Sequence, residues 1–224
     1  MMALNSNLDL EIHPLLPPSK VPTEAPGGTD SNEHLPIAGH GAYGIVYKVP
    51  VGNGIFAARK IFGRTSHPAT MSRACMAEFG LLKRARDENA GNVVQLLPRP
   101  AQPTPIIPGQ VVEVEGPSKN SEGQMSFDME LSSLGNLREF LHNNPQIEVT
   151  EGLVAWVGRQ AFAGLAWLHR RHILHADVKP ENLLCWGGQH APYIKLGDLG
   201  SAVPLDRNGV DSAGKIHFCL TTQK

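Results

Sequence analysis

The chain has little of what marks several large classes of protein. Lys and Arg number 20 against 21 for Asp and Glu, a net charge of −1, so the composition predicts neither nucleic acid nor an anionic membrane as a partner. No apolar run approaches the roughly 18 residues that a membrane span requires. The first residues, MMALNSNLDLEIHPLL, are acidic and polar where a secretory signal would be basic and then apolar.

Cysteine is also scarce. Cys75, Cys185 and Cys219 are the only three, and they lie far apart, without the C-x-x-C spacing of many metal and redox sites. Such cysteines are most often small buried hydrophobic residues. The ten histidines also lack metal-ligand spacing. Together these absences predict a soluble protein of the cytoplasm or the nucleus with reduced thiols.

Proline, by contrast, is concentrated in two segments. Six of the 18 prolines fall in residues 1–36 and six more in 98–117. The first segment is polar and aperiodic, which predicts a disordered leader over 1–33. The second predicts an insertion over about 98–124 between two strands of one sheet. Flexible segments are favoured for both, and ligands of proline-binding domains are the open alternative.

The rest of the chain divides into two parts of different periodicity. Residues 34–131 predict a sheet-rich unit with one helix over 70–86, in which Cys75, Phe79 and Leu82 share a face. Residues 132–224 predict a mainly helical unit built on an amphipathic helix over 151–171. The expectation is an α+β fold with two lobes. Strand candidates of the first lobe are 44–49, 55–61, 93–97, 109–114 and 125–131, and short apolar segments of the second are 173–174, 183–185 and 193–196.

A glycine-rich run, GHGAYGIV, occupies 39–46. Glycines allow backbone amides to approach phosphate oxygens closely, because no side chain stands between them. A dinucleotide-binding site uses similar glycines but places them between a strand and a helix, whereas here a second strand is predicted to follow. The run therefore favours a flap over the phosphates of a nucleotide. A glycine-rich turn that binds nothing is the alternative.

Lys60 lies on the predicted strand after the glycines, and Glu78 lies in the middle of the predicted helix. A lysine beneath the flap would neutralise phosphate oxygens if its long side chain were held in place. A buried glutamate on the facing helix would hold it. The alternative is a solvated surface lysine, but the glycines upstream and Glu78 favour the functional interpretation.

The strongest signal is the run HADVKPEN at 175–182, followed by DLG at 198–200. Asp177 would orient a hydroxyl group and accept its proton, and Lys179 would offset charge on a phosphoryl group during transfer. Asn182 and Asp198 offer the hard oxygen ligands that Mg²⁺ prefers. Two unrelated turns would explain each motif singly, but not both motifs in this order behind the glycines and the lysine.

In these motifs the sequence resembles the eukaryotic protein kinase family, from about residue 35 to about residue 204. The resemblance implies a bilobal fold with ATP and Mg²⁺ between the lobes. It also implies roles for the residues of the three motifs. Lys60 would pair with Glu78, Asp177 would be the catalytic base assisted by Lys179, and the metal ligands would be Asn182 and Asp198.

The resemblance further implies which residues contact the nucleotide. The flap would cover the phosphates, apolar side chains would sandwich the adenine ring, and hinge backbone would bind its edge. The flap residues are Ala38, Gly39, His40, Gly41, Ala42, Tyr43, Gly44 and Val46; the ring contacts are Val46, Ala58 and Leu184; Met129 would be the gatekeeper, and the hinge residues with backbone contacts are Glu130 and Ser132.

The resemblance also bears on substrate and regulation. Lys179 is similar to the lysine of serine/threonine kinases, which makes a protein Ser or Thr hydroxyl the implied acceptor. Ala176 replaces the arginine usual at this position, and this implies no switching by phosphorylation through that contact. Leu199 stands where phenylalanine is commoner, and it would still pack beneath the helix that carries Glu78.

After residue 204 the resemblance fades, and the Ala-Pro-Glu motif and the later helices of the family do not occur before Lys224. The expectation is a chain truncated within the activation segment, with an incomplete second lobe. Apolar faces of the helix over 151–171 would then be exposed and would need a partner protein. The leading hypothesis is an ATP- and Mg²⁺-dependent serine/threonine kinase. The alternatives are a nucleotide-binding regulatory module that transfers nothing and a phosphotransferase of another family.

Overall fold

The computed structural model describes residues 35–41, 43–52, 54–63, 68–97, 116–120 and 123–217. The predicted leader over 1–33 and the predicted strand over 109–114 lie outside the described residues. So do Ala42, Cys219 and most of the predicted insertion over 98–124. Within the described part of the chain, no helix has the length and apolar character needed to cross a bilayer.

The first lobe is built on a five-stranded antiparallel sheet. Its strands lie in the order β1-β2-β3-β5-β4, and β3 and β5 pair along most of their length. At the start of β2 only glycine fits, because a Cβ on Gly44 would collide with the carbonyl oxygen of Ile61. The strands are β1 (Ile37–Gly41), β2 (Gly44–Gly52), β3 (Ile55–Phe62), β4 (Ser118–Lys119) and β5 (Met125–Glu130). β4 lies inside the predicted insertion, so the end of that segment belongs to the sheet.

Helix α1 (Pro68–Asp87) packs against this sheet. Phe79 contacts Phe127 of β5, with ring centroids 5.9 Å apart, and Phe127 also contacts Phe62 of β3 at 5.6 Å. The predicted inner face is present, since Cys75 and Leu82 are buried in the same core. Positions three and four apart on a helix share a face. Glu78, three residues after Cys75, is therefore turned toward the sheet.

The prediction of a strand over 93–97 is wrong. Its first half bonds to the second lobe, where the Val94 amide donates to the carbonyl oxygen of Leu196. Its second half bonds to β5, where the Leu97 amide donates to the carbonyl oxygen of Asp128. Each half makes a single isolated bridge, because the segment crosses from one sheet to another before a ladder can form. This segment has the apolar composition of a strand, but it serves as a connection between the two lobes.

The second lobe combines helices with short strand pairs. Asn136 caps α2 in a capping box with Glu139, and Thr150 caps α3 by accepting from the Leu153 amide. The β6 strand pairs with β9, and β7 pairs with β8 as a hairpin. The elements are α2 (Leu137–Asn143), α3 (Glu151–His169), β6 (Ile173–Leu174), β7 (Leu183–Trp186), β8 (Tyr193–Leu196) and β9 (Val203–Pro204).

The apolar stripe of α3 faces the core of this lobe. Val157, Ala161 and Leu168 are buried, so the expectation of exposed apolar faces on this helix is wrong for the stripe. The β7–β8 hairpin and the segment around Asn92 cover it, and a Cβ on Gly164 would lie 2.5 Å from the carbonyl oxygen of Asn92. The exposed apolar side chains of α3, such as Phe162, belong to its other face.

Candidate active site

Lys60 and Glu78 meet in the core of the first lobe. Lys60 lies in β3, and Glu78 lies on the face of α1 that packs against the sheet. The Lys60 Nζ donates to both carboxylate oxygens of Glu78, at 2.8 and 2.7 Å, and both side chains are buried. Because a buried charge is unfavourable unless it is paired, this ion pair fixes the position of the lysine side chain.

Asp198 supplies a third contact, from the second lobe. Its Oδ1 accepts from the Lys60 Nζ at 2.8 Å. Burial alone lowers the pKa of Lys60, but the charges of Glu78 and Asp198, with their hydrogen bonds, raise it above its usual value. Lys60 is therefore a fixed ammonium group between the lobes, and such a group can pair with phosphate oxygens.

The loop over 175–182 brings Asp177, Lys179 and Asn182 together. The Lys179 Nζ donates to Asp177 Oδ2 at 2.7 Å, and a 3₁₀ turn over Pro180–Asn182 turns Asn182 back toward the aspartate. The Asn182 Nδ2 donates to the carbonyl oxygen of Asp177 at 2.8 Å and to its Oδ2 at 3.0 Å. The hydrogen bond from Lys179, followed by that from Asn182, holds the pKa of Asp177 below its usual value. Asp177 is thus a carboxylate at neutral pH.

His175 ties the two carboxylate loops to each other. Its Nδ1 accepts from the Asp177 amide at 3.2 Å, so the ring proton is on Nε2, which lies 3.0 Å from the carbonyl oxygen of Gly197. Burial lowers the pKa of His175, which keeps the ring neutral. The Gly197 amide also donates to the carbonyl oxygen of Asn182 at 2.8 Å. Asp177 and Asp198 therefore stand on loops that are fixed relative to one another.

Both loops contain backbone that non-glycine residues seldom adopt. Ala176 has a φ of 64° and Asp198 a φ of 52°. The left-handed region costs an L-residue about 1–2 kcal/mol, although the short polar side chain of Asp198 tolerates it better than alanine does. The contacts of His175 hold this strain in place. Strained backbone concentrates at functional sites, which supports these loops as the reacting part of the cleft.

The residues predicted to sandwich adenine lie around Lys60. Lys60 pairs with Val46 across β2 and β3, and Ala58 pairs with Met129 across β3 and β5. Alternate residues of a strand share a face, so these four side chains line one face of the sheet. Ala58 and Met129 are buried, and Val46 is half-buried. Leu184, the predicted lower contact, lies in β7 of the second lobe.

The predicted flap is formed by β1 and β2. Gly39 stands opposite Val46, and Gly41 stands opposite Gly44. Tyr43, at the turn, reaches the loop that carries Asp198, because its Cδ2 lies 3.1 Å from the position of a Cβ on Gly200. Ala38 and His40 in β1 are exposed, and a Cβ on Gly39 would meet no atom within 4 Å. The flap thus leaves open space beside Gly39.

The predicted magnesium ligands are neighbours through their backbone. Gly197, bonded to the Asn182 carbonyl, directly precedes Asp198. Since the Asn182 Nδ2 is turned to two acceptors on Asp177, its Oδ1 points away from them. Asp198 adds a carboxylate that is 28% exposed. Two hard oxygen ligands from protein, completed by phosphate and water, are what Mg²⁺ takes in nucleotide sites, so the residues fit this ion.

The side chains of two other candidate residues make contacts that the sequence did not predict. The sequence assigned only the backbone of Glu130 and Ser132. The Glu130 carboxylate forms an ion pair with Lys195 of β8. The Ser132 Oγ lies 2.6 Å from the carbonyl oxygen of Gly135 and 2.7 Å from that of Cys185. No spacing signal could have found the contacts with Lys195 and Cys185, because these residues are more than 50 residues away along the chain.

Leu199 is buried in the core cluster that also contains Leu82 of α1. The first lobe contains the sheet and a buried Lys60–Glu78 pair, and the second lobe presents two fixed carboxylate loops across a cleft. Together these features define a protein kinase fold. A profile of the protein kinase domain matches residues 33–223, and the chain therefore belongs to the protein kinase family.

Known kinases align with the chain over different lengths. It is 29% identical over 185 residues to the probable cyclin-dependent kinase 8 of Dictyostelium discoideum, covering 77% of this chain and 43% of that protein. It is 29% identical over 178 residues to the mitogen-activated protein kinase kinase 7 of Arabidopsis thaliana, covering 79% and 48%. A third relative is the probable serine/threonine-protein kinase WNK8 of Oryza sativa subsp. japonica, 36% identical over 85 residues, which cover 38% and 13%. The chain spans less than half the length of each.

Proposed function

We propose that this chain binds ATP with Mg²⁺ in the cleft and transfers the γ-phosphoryl group to Ser or Thr hydroxyls of proteins. The observation that carries the proposal is the position of Lys60, whose Nζ lies within 2.8 Å of both Glu78 and Asp198. The proposal is supported by this contact, because an ammonium group suited to phosphate stands beside a carboxylate suited to Mg²⁺. The name of the rice relative supports Ser and Thr as acceptors, as does the resemblance carried by Lys179.

The residues divide the chemistry between them. The hydroxyl oxygen of the substrate bonds to the γ-phosphorus while the bond from that phosphorus to the bridging oxygen breaks, and ADP leaves. Asp177 accepts the hydroxyl proton, and Lys179 offsets charge on the transferred group. Lys60 holds the phosphates of the nucleotide. Asn182 and Asp198 would hold Mg²⁺, which would supply positive charge against the phosphate oxygens when bound.

The test is transfer of labelled phosphate from ATP to a generic protein substrate, with phosphoamino-acid analysis of the product. Wild type is expected to produce phosphoserine or phosphothreonine, and Asp177→Ala to lose the rate by a factor of about 10² or more. Asp87→Ala, which removes an exposed carboxylate at the end of α1, is the matched control and is expected to behave as wild type. Equal transfer by wild type and Asp177→Ala would sink the assignment.

A second candidate, a module that binds nucleotide without transferring phosphate, has one observation in its favour. Lys60, the lysine proposed to bind nucleotide, is buried and fixed, whereas Lys179 is exposed and forms its ion pair with Asp177 itself. Nucleotide binding would need Lys60 only to exchange its contact with Asp198 for one with phosphate, while transfer would also need Lys179 to turn from Asp177 toward the phosphoryl group. Thermal stabilisation by Mg·ATP together with no phosphotransfer would favour this candidate.

A further inference from the structure

The β7–β8 hairpin reaches the segment that joins the two lobes, which we call the hinge (residues 130–135). The Lys195 Nζ donates to both carboxylate oxygens of Glu130, at 2.8 and 2.6 Å. The side chains are only 14% and 25% exposed. Trp186 adds a second contact, since its Nε1 donates to the carbonyl oxygen of Leu131 at 3.0 Å. Both hairpin strands therefore bond to consecutive residues of the hinge.

These contacts support each other. The Lys195 Nζ lies 5.5 Å from the centre of the Trp186 ring, within the range of a cation–π contact. A partly buried, bidentate ion pair is screened less by solvent than an exposed one. We call Glu130, Leu131, Trp186 and Lys195 the hinge clamp. It differs from the exposed ion pairs of α1, which involve long, solvated side chains.

The same hairpin carries two residues of the proposed nucleotide site. Leu184 is paired directly with Lys195 across the β7–β8 ladder, so their side chains lie on one face of the hairpin with that of Trp186. Asp198 follows β8 after one glycine. The hinge clamp therefore links the hinge backbone to the element that provides the lower contact of the adenine pocket and the metal-binding carboxylate.

The clamp also determines which backbone groups of the hinge remain for a ligand. Successive peptide groups of extended backbone point to opposite sides. Because the Leu131 carbonyl is turned toward Trp186, the Glu130 carbonyl and the Ser132 amide are left for the opposite side. They belong to the two residues whose backbone the resemblance assigns to adenine. A carbonyl at this place accepts from the amino group of adenine but repels the exocyclic carbonyl oxygen that guanine carries in its place.

We propose that Lys195 is a positioning residue that sets nucleotide affinity and adenine selectivity by holding Glu130 of the hinge against the β7–β8 hairpin. The inference rests on the proposed function, since it concerns the same site. Lys195 itself does not touch the nucleotide, and acts only through Glu130 and the hinge backbone.

Calorimetric titration of the full chain with Mg·ADP and Mg·GDP tests the proposal without relying on activity. Lys195→Met keeps the apolar stem but removes the charge, and it is expected to weaken ADP binding about fivefold and to narrow the ADP-over-GDP preference. Lys195→Arg is expected to restore both. In a Glu130→Gln background, Lys195→Met is expected to have no further effect, because the partner charge is already absent.

Lys83→Met provides the matched control, since Lys83 forms an ion pair with Asp87 on the surface of α1; its ADP affinity is expected to equal that of wild type. A lysine with a merely structural role would lower the unfolding temperature and leave ADP affinity unchanged. Should Lys195→Met not fold, Glu130→Gln alone carries the test. Wild-type ADP affinity in the variants would overturn the clamp and leave the proposed function intact, whereas failure of wild type to bind ADP would overturn both.

Discussion

Asp177 and Lys179 control each other's protonation in the proposed site. The hydrogen bond from Lys179 is the main reason that the pKa of Asp177 lies below its usual 3.8, and the same bond raises the pKa of Lys179. A carboxyl group with a lowered pKa contributes stability above its usual pKa, and that contribution is lost as the pH falls through the lowered value. Asp177 is therefore ionised and ready to accept a proton throughout the physiological pH range.

Replacing Lys179 should change the titration of Asp177. In Lys179→Met the pKa of Asp177 is expected to rise toward its usual value, because the ammonium that stabilises the carboxylate is gone. The phosphotransfer rate is expected to fall by a factor of about 10². An NMR titration of the Asp177 carboxyl carbon measures the first effect, with Lys83→Met as the control. An unchanged Asp177 pKa would contradict the role given to this contact.

At the scale of single residues, the sequence identifies site residues that belong to motifs of fixed spacing. Lys60, Glu78 and Asp198 could be named in advance, and the structure brings both carboxylates within hydrogen-bond distance of Lys60. Lys195 and its partner Glu130 could not be paired, since 65 residues separate them and neither belongs to a spaced motif. Such pairs depend on tertiary packing, which a local pattern does not encode.

At the scale of elements, the position of α3 depends on a close approach of two backbones. The helix packs directly on the segment around Asn92, which also bonds to β8 through the Leu196 amide. A side chain at Gly164 would hold these elements apart. Because α3 leads into β6 and the loop of His175, its distance from β8 also sets the spacing between the two carboxylate loops.

Two glycine substitutions on α3 should have opposite effects. Gly164→Ala is expected to lower the free energy of unfolding by about 1–3 kcal/mol, because its Cβ would lie 2.5 Å from the Asn92 carbonyl oxygen. Gly158→Ala is expected to raise it by about 0.5–1 kcal/mol, since its Cβ would meet only the Phe162 ring at 3.8 Å. Urea unfolding measures both. Equal effects of the two substitutions would contradict this packing.

Periodicity predicted the elements that have one uniform environment. The helix expected over 70–86 is α1 (Pro68–Asp87), and the strand expected over 125–131 is β5 (Met125–Glu130). The segment over 93–97 was predicted wrongly because its bonding partner changes from β8 to β5 halfway along. An apolar run predicts that a segment is buried, but it does not predict whether the segment pairs with one strand or with two.

At the scale of the whole molecule, several contacts among the described residues connect the lobes, and three sets of them lie around the proposed nucleotide site. Lys60 bonds to Asp198 across the cleft, the segment over 93–97 bonds to β5 and β8, and the hinge clamp fixes the covalent connection. All three flank the space in which a nucleotide is proposed to bind. The two-lobed architecture followed from the sequence, because sheet and helix patterns are separated along the chain, whereas these connections did not.

The nucleotide site centred on Lys60 is tested most directly by calorimetry with Mg·ADP. The variant is Lys60→Met combined with Glu78→Gln, so that no buried carboxylate loses its only cation, and Lys83→Met is the control. Wild type and control are expected to bind ADP alike, and the double variant to bind about tenfold or more weakly, because the ammonium that pairs with phosphate is lost. Equal affinity in all three proteins, or no binding by wild type, would contradict a nucleotide site at Lys60.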